Sequence, residues 1–451
     1  MSDDHYCAQR RPEGNAAGWD TCNIDTVPIV FIPGVMGSRL KVSGFLKADW
    51  DPDDNFAMVG WALSTLGQKQ GVLSVDKTPQ LEPIRSFQSE KPIRKNKSLK
   101  NIAAALHTDP VKLYEARGWG AVAWSFYGAV LTQLETSLNM ASGQSTLSIL
   151  NPVYAFGYDF RRSNFLSGDK LAEFIEKVLK ENPGAKQVIL VTHSMGGLVA
   201  RAALTRNPAI VPKVLGIVHG AQPSNGAVVA YRRFFTGAIS SMDGGAIPER
   251  TLETIIGSDP VDYTILQVGL PGPLELLPNH TFHLHAKDRW LTTRDEFDLG
   301  NIHALYRRST APGLVGQFVA AMVANDDATP TERFALQSTF SVRLGLVEDF
   351  HKALENAWHP NTHILYSDEL KTDARVDWTA TQRERDSLEP FHQTPSGDGT
   401  VPADSGRCPG IPIAYAKSRK QFAKLEHAGC YKDEAFNQWA LDRIRLILSR
   451  S

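Results

Sequence analysis

Apolar residues fall along this chain in two alternating rhythms. Short, largely apolar runs occur at 27–32, 152–157, 188–191, 214–219 and 363–366. A strand covered on both faces has no polar alternation, so these runs predict buried strands. Between them the spacing turns helical. Leu171, Phe174, Ile175, Val178 and Leu179 share one face over 169–181, and Pro183-Gly184 stops that helix. Further helices are predicted over 121–138, over Leu198–Leu204, and at the C-terminus, where Phe436, Ala440, Ile444 and Ile447 repeat at helical spacing. Strands alternating with helices predict an α/β architecture with a mostly parallel central sheet.

Two stretches break the rhythm. Residues 39–115 and 225–360 are each too long for one strand-to-helix connection and read as insertions forming a lid or cap. The first contains Pro-Asp turns and exposed-looking Trp50, Phe56 and Trp61. Within the second, Gly313–Val323 reads as cap core rather than membrane anchor. Residues 1–24 read as a polar arm, and 25–451 as one elaborated domain. No internal repeat is evident.

The third apolar run ends in Thr192-His193-Ser194-Met195-Gly196-Gly197 and passes straight into a helix. Strand, serine, helix is the pattern of a nucleophile elbow, in which the hydroxyl projects from the sheet edge. Small neighbours are needed because strand and helix nearly touch, hence Gly196 and Gly197. Thr192 stands where a glycine is usual, so the elbow is expected to open slightly. An ordinary strand-turn-helix with an incidental serine is the plain alternative.

A serine needs a base, and the base needs an acid to hold it. Asp398 lies between Gly397 and Gly399, which lets the backbone bend and carry the carboxylate to a loop tip. His427 precedes the terminal helix. Alone, each has a bland reading, a solvated Asp-Gly turn and a surface histidine; their order after Ser194 makes them candidate acid and base. Asp404 is the runner-up acid. Oxyanion stabilisation calls for backbone N–H groups. Met195, next after the serine, supplies one, and Val35, in the turn Pro33-Gly34-Val35-Met36-Gly37, supplies the other, with Met36 the alternate. Asp159 reads as structural, paired with Arg161.

In these islands the chain resembles the lecithin:cholesterol acyltransferase-like lipases and acyltransferases. The matching stretches are Ile32–Ser38, Gly157–Arg161, His193–Gly197, Leu274–Pro278, Gly397–Pro402 and His427, in the family's order over residues 26 to 430. The resemblance implies an α/β-hydrolase core with lid and membrane-approaching insertions, acting on acyl esters of lipids. It also implies that Val35 occupies the oxyanion position, where some relatives carry an acid. Arg117–Trp124 and Val218–Pro223 resemble bacterial lipases linked to type VI secretion. That resemblance implies a secretion-system or immunity partner and a signal-independent export route.

Composition narrows the classes. Forty-eight basic residues against 49 acidic ones leave no electrostatic case for a nucleic-acid partner. The basic segment Lys91–Lys97 reads as a solvated loop, with anionic lipid contact the alternative. Met1-Ser2-Asp3-Asp4 is acidic with no apolar stretch behind it, so no secretory signal is expected and a cytoplasmic location follows. No run reaches the ~18 apolar residues of a membrane span. Cys408 and Cys430 bracket the segment carrying His427, where a disulfide would brace it; with Cys7 and Cys22 they otherwise read as four reduced thiols. His283 and His285 would share one face of a strand, with His280 nearby, yet no cysteine or carboxylate pair accompanies them, so no metal or other cofactor is expected. The function expected is hydrolysis of phospholipid or glyceride esters through an acyl-serine, with a lipid or ester substrate and transient membrane-surface contact. The alternatives are acyl transfer to an alcohol and a catalytically inactive lipid-binding protein.

Overall fold

The computed structural model describes residues 6–10, 19–23, 26–42, 49–139, 151–238, 254–286, 289–293, 301–309, 313–325, 329–379 and 390–449. Six strands form the central sheet: β1 (Ile29–Ile32), β2 (Val153–Ala155), β3 (Val188–His193), β4 (Val214–Gly220), β5 (Thr362–Asp368) and β6 (Ala416–Ala423). They lie in the order β6-β5-β4-β3-β1-β2, and all five pairings are parallel. The elbow strand β3 is therefore interior and buried along its whole length. Within the polar arm, Tyr6–Arg10 and Trp19–Asn23 pair antiparallel.

Alternation along the strands divides the core into two layers. Val30 and Ile32 of β1, with Val188 and Leu190 of β3, face α2 (Asn164–Glu181) and α3 (Met195–Arg206). Ile29, Phe31, Ile189 and Val191 face α1 (Trp124–Asn139) and α4 (Glu434–Leu448). Phe436, Ala440, Ile444 and Ile447 all lie in the second layer, as their spacing predicts. Helices α2 and α3 cross closely at Gly168, where a Cβ would stand 2.7 Å from the Ala203 nitrogen.

The described residues between 39 and 115 serve both faces of the sheet. Trp50, Trp61, Val72 and Leu81 join the α2/α3 layer, while Ile93, Leu99, Val111 and Tyr114 join the α1/α4 layer. Trp50 and Trp61 are thus buried, against the expectation that they are exposed; they stack edge to face, and only Phe56 points outward. Lys91–Lys97 is not a loop. It is the helix Lys91–Lys95, the junction residue Asn96 and the first residue of the helix Lys97–Ala105, with its lysines facing solvent around buried Ile93. Asp159 binds Arg161 through both carboxylate oxygens and accepts the Leu81 N–H, while Arg161 donates to the Val72 and Pro79 carbonyls. This buried pair pins the insertion to the loop after β2.

The residues after β4 build a core of their own. Helices Val228–Thr236, Pro260–Val268, Ile302–Tyr306, Leu314–Asn325 and Pro330–Leu354 enclose it, joined by a three-stranded sheet of Leu291–Thr293, Thr372–Trp378 and Phe391–Thr394. Leu314, Phe318 and Met322 point into this core. His280–His285 is a helix capped by Asn279, not the strand expected, so His283 and His285 do not share a strand face. Among the described residues, no helix is long and apolar enough to cross a membrane.

Burial leaves a pH signature. His193, His219, His303 and His351 are all enclosed, and desolvation pushes their pKa values down to about 3, 3, 3 and 4. Unfolded, each takes up a proton below about 6.5; folded, it excludes that proton until far lower pH, so protonation favours unfolding. Buried Glu275 opposes this, because desolvation raises it to about 8 and the folded chain keeps a proton that the unfolded chain has released above 4.5. Desolvation also lowers His283 and His359, and it raises Glu135 and Asp262 as well as Glu275, so six histidines outweigh three carboxyls. Between pH 6.5 and 4.5 the denaturant midpoint is expected to fall steadily with pH; a midpoint that is flat or rises toward acid would contradict this.

Candidate active site

Ser194 closes β3 with φ 51° and ψ −126°, a left-handed conformation unusual for a residue with a side chain. Two hydrogen bonds hold the turn: its N–H donates to the Gly220 carbonyl (2.9 Å), and its carbonyl accepts the Gly197 N–H (2.9 Å). The glycines are sterically enforced. A Cβ on Gly196 would meet the Ile32 and Pro33 carbonyls at 2.5 Å, and one on Gly197 would meet Gln222 at 2.2 Å. Thr192 fits without a glycine's space because its side chain turns toward β4, where Oγ1 lies 2.8 Å from His219 Nδ1.

The three residues distant in sequence meet at this turn. Ser194 Oγ stands 2.8 Å from His427 Nε2, and His427 Nδ1 stands 2.7 Å from Asp398 Oδ2. Facing a carboxylate, Nδ1 carries the proton and donates; Nε2 is then the acceptor for the serine O–H. The other oxygen of Asp398 accepts the N–H groups of Thr400 (3.0 Å) and Val401 (2.6 Å), and its backbone carbonyl accepts the His427 N–H (2.9 Å). Gly399 takes φ 90° to make this tight loop, and its N–H donates to Thr372 Oγ1. The arrangement can pass a proton from the serine to the imidazole while the carboxylate holds ring orientation and tautomer.

Val35 lies in the turn closed by the Gly37 N–H on the Gly34 carbonyl (3.1 Å). This turn packs directly on the serine, since a Cβ on Gly34 would stand 2.9 Å from Ser194 Cβ. Met195 is the first residue of α3, whose opening N–H groups have no intrahelical acceptors. Met36 has φ 60°, and its carbonyl accepts the Trp50 indole N–H (3.3 Å), tying the turn to the first insertion.

Ser194, His427 and Asp398 all line one cavity of about 610 Å³. Val35, Met36, Phe126, Phe160, Val229, Ile256, Leu270 and Leu276 supply its apolar walls, drawn from the Gly34–Gly37 turn, α1, the loop after β2 and the residues after β4. Arg233, Lys371 and Glu426 also line it.

Two candidate features fall away. Cys408 and Cys430 are both free and buried, on opposite faces of the sheet: Cys408 packs with Trp358 and Ile364, Cys430 in the α1/α4 layer with Leu365. A disulfide cannot reach through the sheet. Asp404 pairs with Arg407 within one turn (2.7 Å). Among the described residues, no group of three or more His, Cys, Asp or Glu side chains has the geometry to hold a metal ion. Two residues in contact with this site escape sequence reading: His193, adjacent to the serine yet readable as a spacer, and Tyr127, which carries no motif.

The architecture is shared with known structures. One chain of the Tle4–Tli4 complex superposes with TM-score 0.71 at 22% identity, covering 94% of this chain and 98% of that one. The chain has the α/β-hydrolase fold. A family model for a PGAP1-like alpha/beta domain matches residues 157–244, the part of this α/β-hydrolase that holds the serine turn. The mature lipase BlEst2 of Bacillus licheniformis aligns over 99% of both chains, but at 10% identity and TM-score 0.35 that likeness carries no argument. The search of curated proteins finds no match.

Proposed function

We propose that this chain is a serine hydrolase that cleaves lipid acyl esters through an acyl-serine. The observation that carries the reading is the continuous Ser194–His427–Asp398 hydrogen-bond chain opening on an apolar cavity of about 610 Å³. Ser194 Oγ attacks the ester carbonyl carbon while His427 Nε2 takes the hydroxyl proton. The carbonyl oxygen becomes an oxyanion, stabilised by the N–H groups of Val35 and Met195. Collapse breaks the ester bond, and His427 returns the proton to the leaving alcohol. Water, deprotonated by His427, then attacks the acyl-serine; the acyl–Oγ bond breaks, His427 returns the proton to Ser194 Oγ, and the fatty acid leaves.

The apolar walls suit an acyl chain, since such pockets bury most of a ligand's surface. Lys371 lines the cavity along with Glu426, and a cation in the wall supports a phosphate-bearing head group over a neutral glyceride. The Tle4–Tli4 structure is of a two-component complex, and a bound protein partner belongs to the same proposal.

A substrate panel tests it. Short-chain esters, long-chain glycerides and phospholipid vesicles are incubated with the full chain, and released fatty acid is measured. Phospholipid is expected to be cleaved fastest. Cleavage of short esters alone would remove the lipid assignment, and acyl products formed only when an alcohol acceptor is added would replace hydrolysis with transfer.

A further inference from the structure

Behind the triad a single hydrogen-bond route joins the two loops that ester cleavage needs in register. His193 Nε2 lies 3.0 Å from the backbone carbonyl of His427. Only an N–H can face a carbonyl, so Nε2 carries the ring proton and donates. His193 Nδ1 is therefore an acceptor, and the Tyr127 hydroxyl, 2.9 Å away, donates to it. The Tyr127 oxygen in turn accepts the N–H of Gly34 at 3.1 Å. The route runs from the turn that carries Val35 to the loop that carries the base.

Space and protonation are arranged around this route. A Cβ on Gly37 would stand 2.6 Å from the Tyr127 hydroxyl, and one on Gly34 would stand 3.1 Å from His193 Nδ1. Both glycines of the oxyanion turn thus make room for the chain as well as for the serine. His193 packs against the rings of Tyr127 and Tyr431, and its own ring centroid lies 5.2 Å from that of His427. Burial and the neighbouring His427 push His193 down to about 3, while burial pushes the Tyr127 hydroxyl well up. Tyr127 keeps its proton and His193 stays neutral, so its tautomer and the direction of every bond are fixed. A neutral His193 also places no second cation beside His427 when that ring takes up the serine proton.

We propose that Tyr127 and His193 are positioning residues that hold the oxyanion turn and the His427 loop at the separation the transition state requires, a role that rests on the ester-hydrolase reading. Neither needs to touch the reacting atoms. The tetrahedral intermediate must meet Val35 N–H and His427 Nε2 together, and such constellations tolerate only about 0.5 Å of error. The two loops are far apart in sequence, and the shared Tyr127–His193 pair sets their spacing directly.

The experiment compares Tyr127→Phe, His193→Phe and His193→Gln in the full chain. Tyr127→Phe is expected to lower kcat by about tenfold to a hundredfold with KM within about twofold, less than the ~10²–10³ that loss of an oxyanion donor itself costs. Binding of an alkyl boronic acid, which forms a tetrahedral adduct with the serine, should weaken by a similar factor. The fraction of sites titrated to completion by a fluorophosphonate should stay at the wild-type value. His193→Gln, whose amide can still donate toward the His427 carbonyl, should recover much of what His193→Phe loses. Wild-type kcat and boronate affinity in Tyr127→Phe would overturn the proposal. So would a lower rate matched by an equal loss of titratable sites, which marks a purely structural role. A wild-type chain that neither hydrolyses esters nor labels with fluorophosphonate would instead bring down the hydrolase reading, and this role with it.

Discussion

Ser194→Ala is expected to lose about 10⁵–10⁶-fold in kcat on any ester the wild type cleaves, with KM nearly unchanged. The magnitude follows from what the hydroxyl does alone. In the proposed mechanism His427 and Asp398 organise the proton transfers, and without an oxygen 2.8 Å from His427 Nε2 the first of them has no donor. What remains is water attack assisted by the oxyanion turn and binding. Folding is expected to survive, because Ser194 holds the turn through backbone bonds to Gly220 and Gly197, which alanine keeps. The positive φ of 51° costs alanine about what it costs serine, so the unfolding free energy should shift by less than about 1 kcal/mol. Initial rates and denaturant unfolding on the same preparation check both halves. Residual activity above about a tenth of wild type would assign the reaction to another nucleophile.

Much of the fold and the assembly of the candidate site can be read from the chain, because the relevant physics is local there. An interior strand buries both faces and is mostly apolar, so β3 and β4 announce themselves. The turn at Ser194 admits only small neighbours, and the carbonyls of Ile32 and Pro33 at 2.5 Å are the reason glycine stands at 196. Asp398 and His427 are legible through their order after Ser194, and Asp398 also through its two flanking glycines. Where the reading misses, the missing quantity is which face a residue occupies. Trp50, set between two aspartates, and Trp61 read as exposed, yet their rings stack edge to face and are buried. Cys408 and Cys430 flank one histidine in sequence, while the sheet stands between them in space. The His280–His285 helix lacks a long apolar stripe, and its one start signal is Asn279. Tyr127 meets His193 across 66 positions only because α1 lies under β3, a packing that no local pattern encodes.

Asp398→Asn should cost about 10⁴-fold in kcat while leaving the site's shape almost intact. The surrounding bonds determine how an asparagine must sit. Asp398 Oδ1 accepts the N–H groups of Thr400 and Val401, so an amide placed there has to present its oxygen to both. Its NH₂ then faces His427 Nδ1 at the 2.7 Å contact. Two donors cannot share that contact, so the imidazole proton moves to Nε2 and the ring no longer accepts from Ser194. The serine is present, correctly placed, and without a base. Flipping the amide would restore the tautomer but set NH₂ against two backbone N–H groups, at a cost of about 1–3 kcal/mol for each unsatisfied group. The rate of fluorophosphonate labelling should fall alongside kcat, whereas KM and the unfolding midpoint should move little. Measured beside Ser194→Ala, this variant separates the two halves of the mechanism: Ser194→Ala removes the atom that is labelled, while Asp398→Asn keeps it and slows its reaction. Labelling at the wild-type rate in Asp398→Asn would show that Asp398 does not set the tautomer of His427.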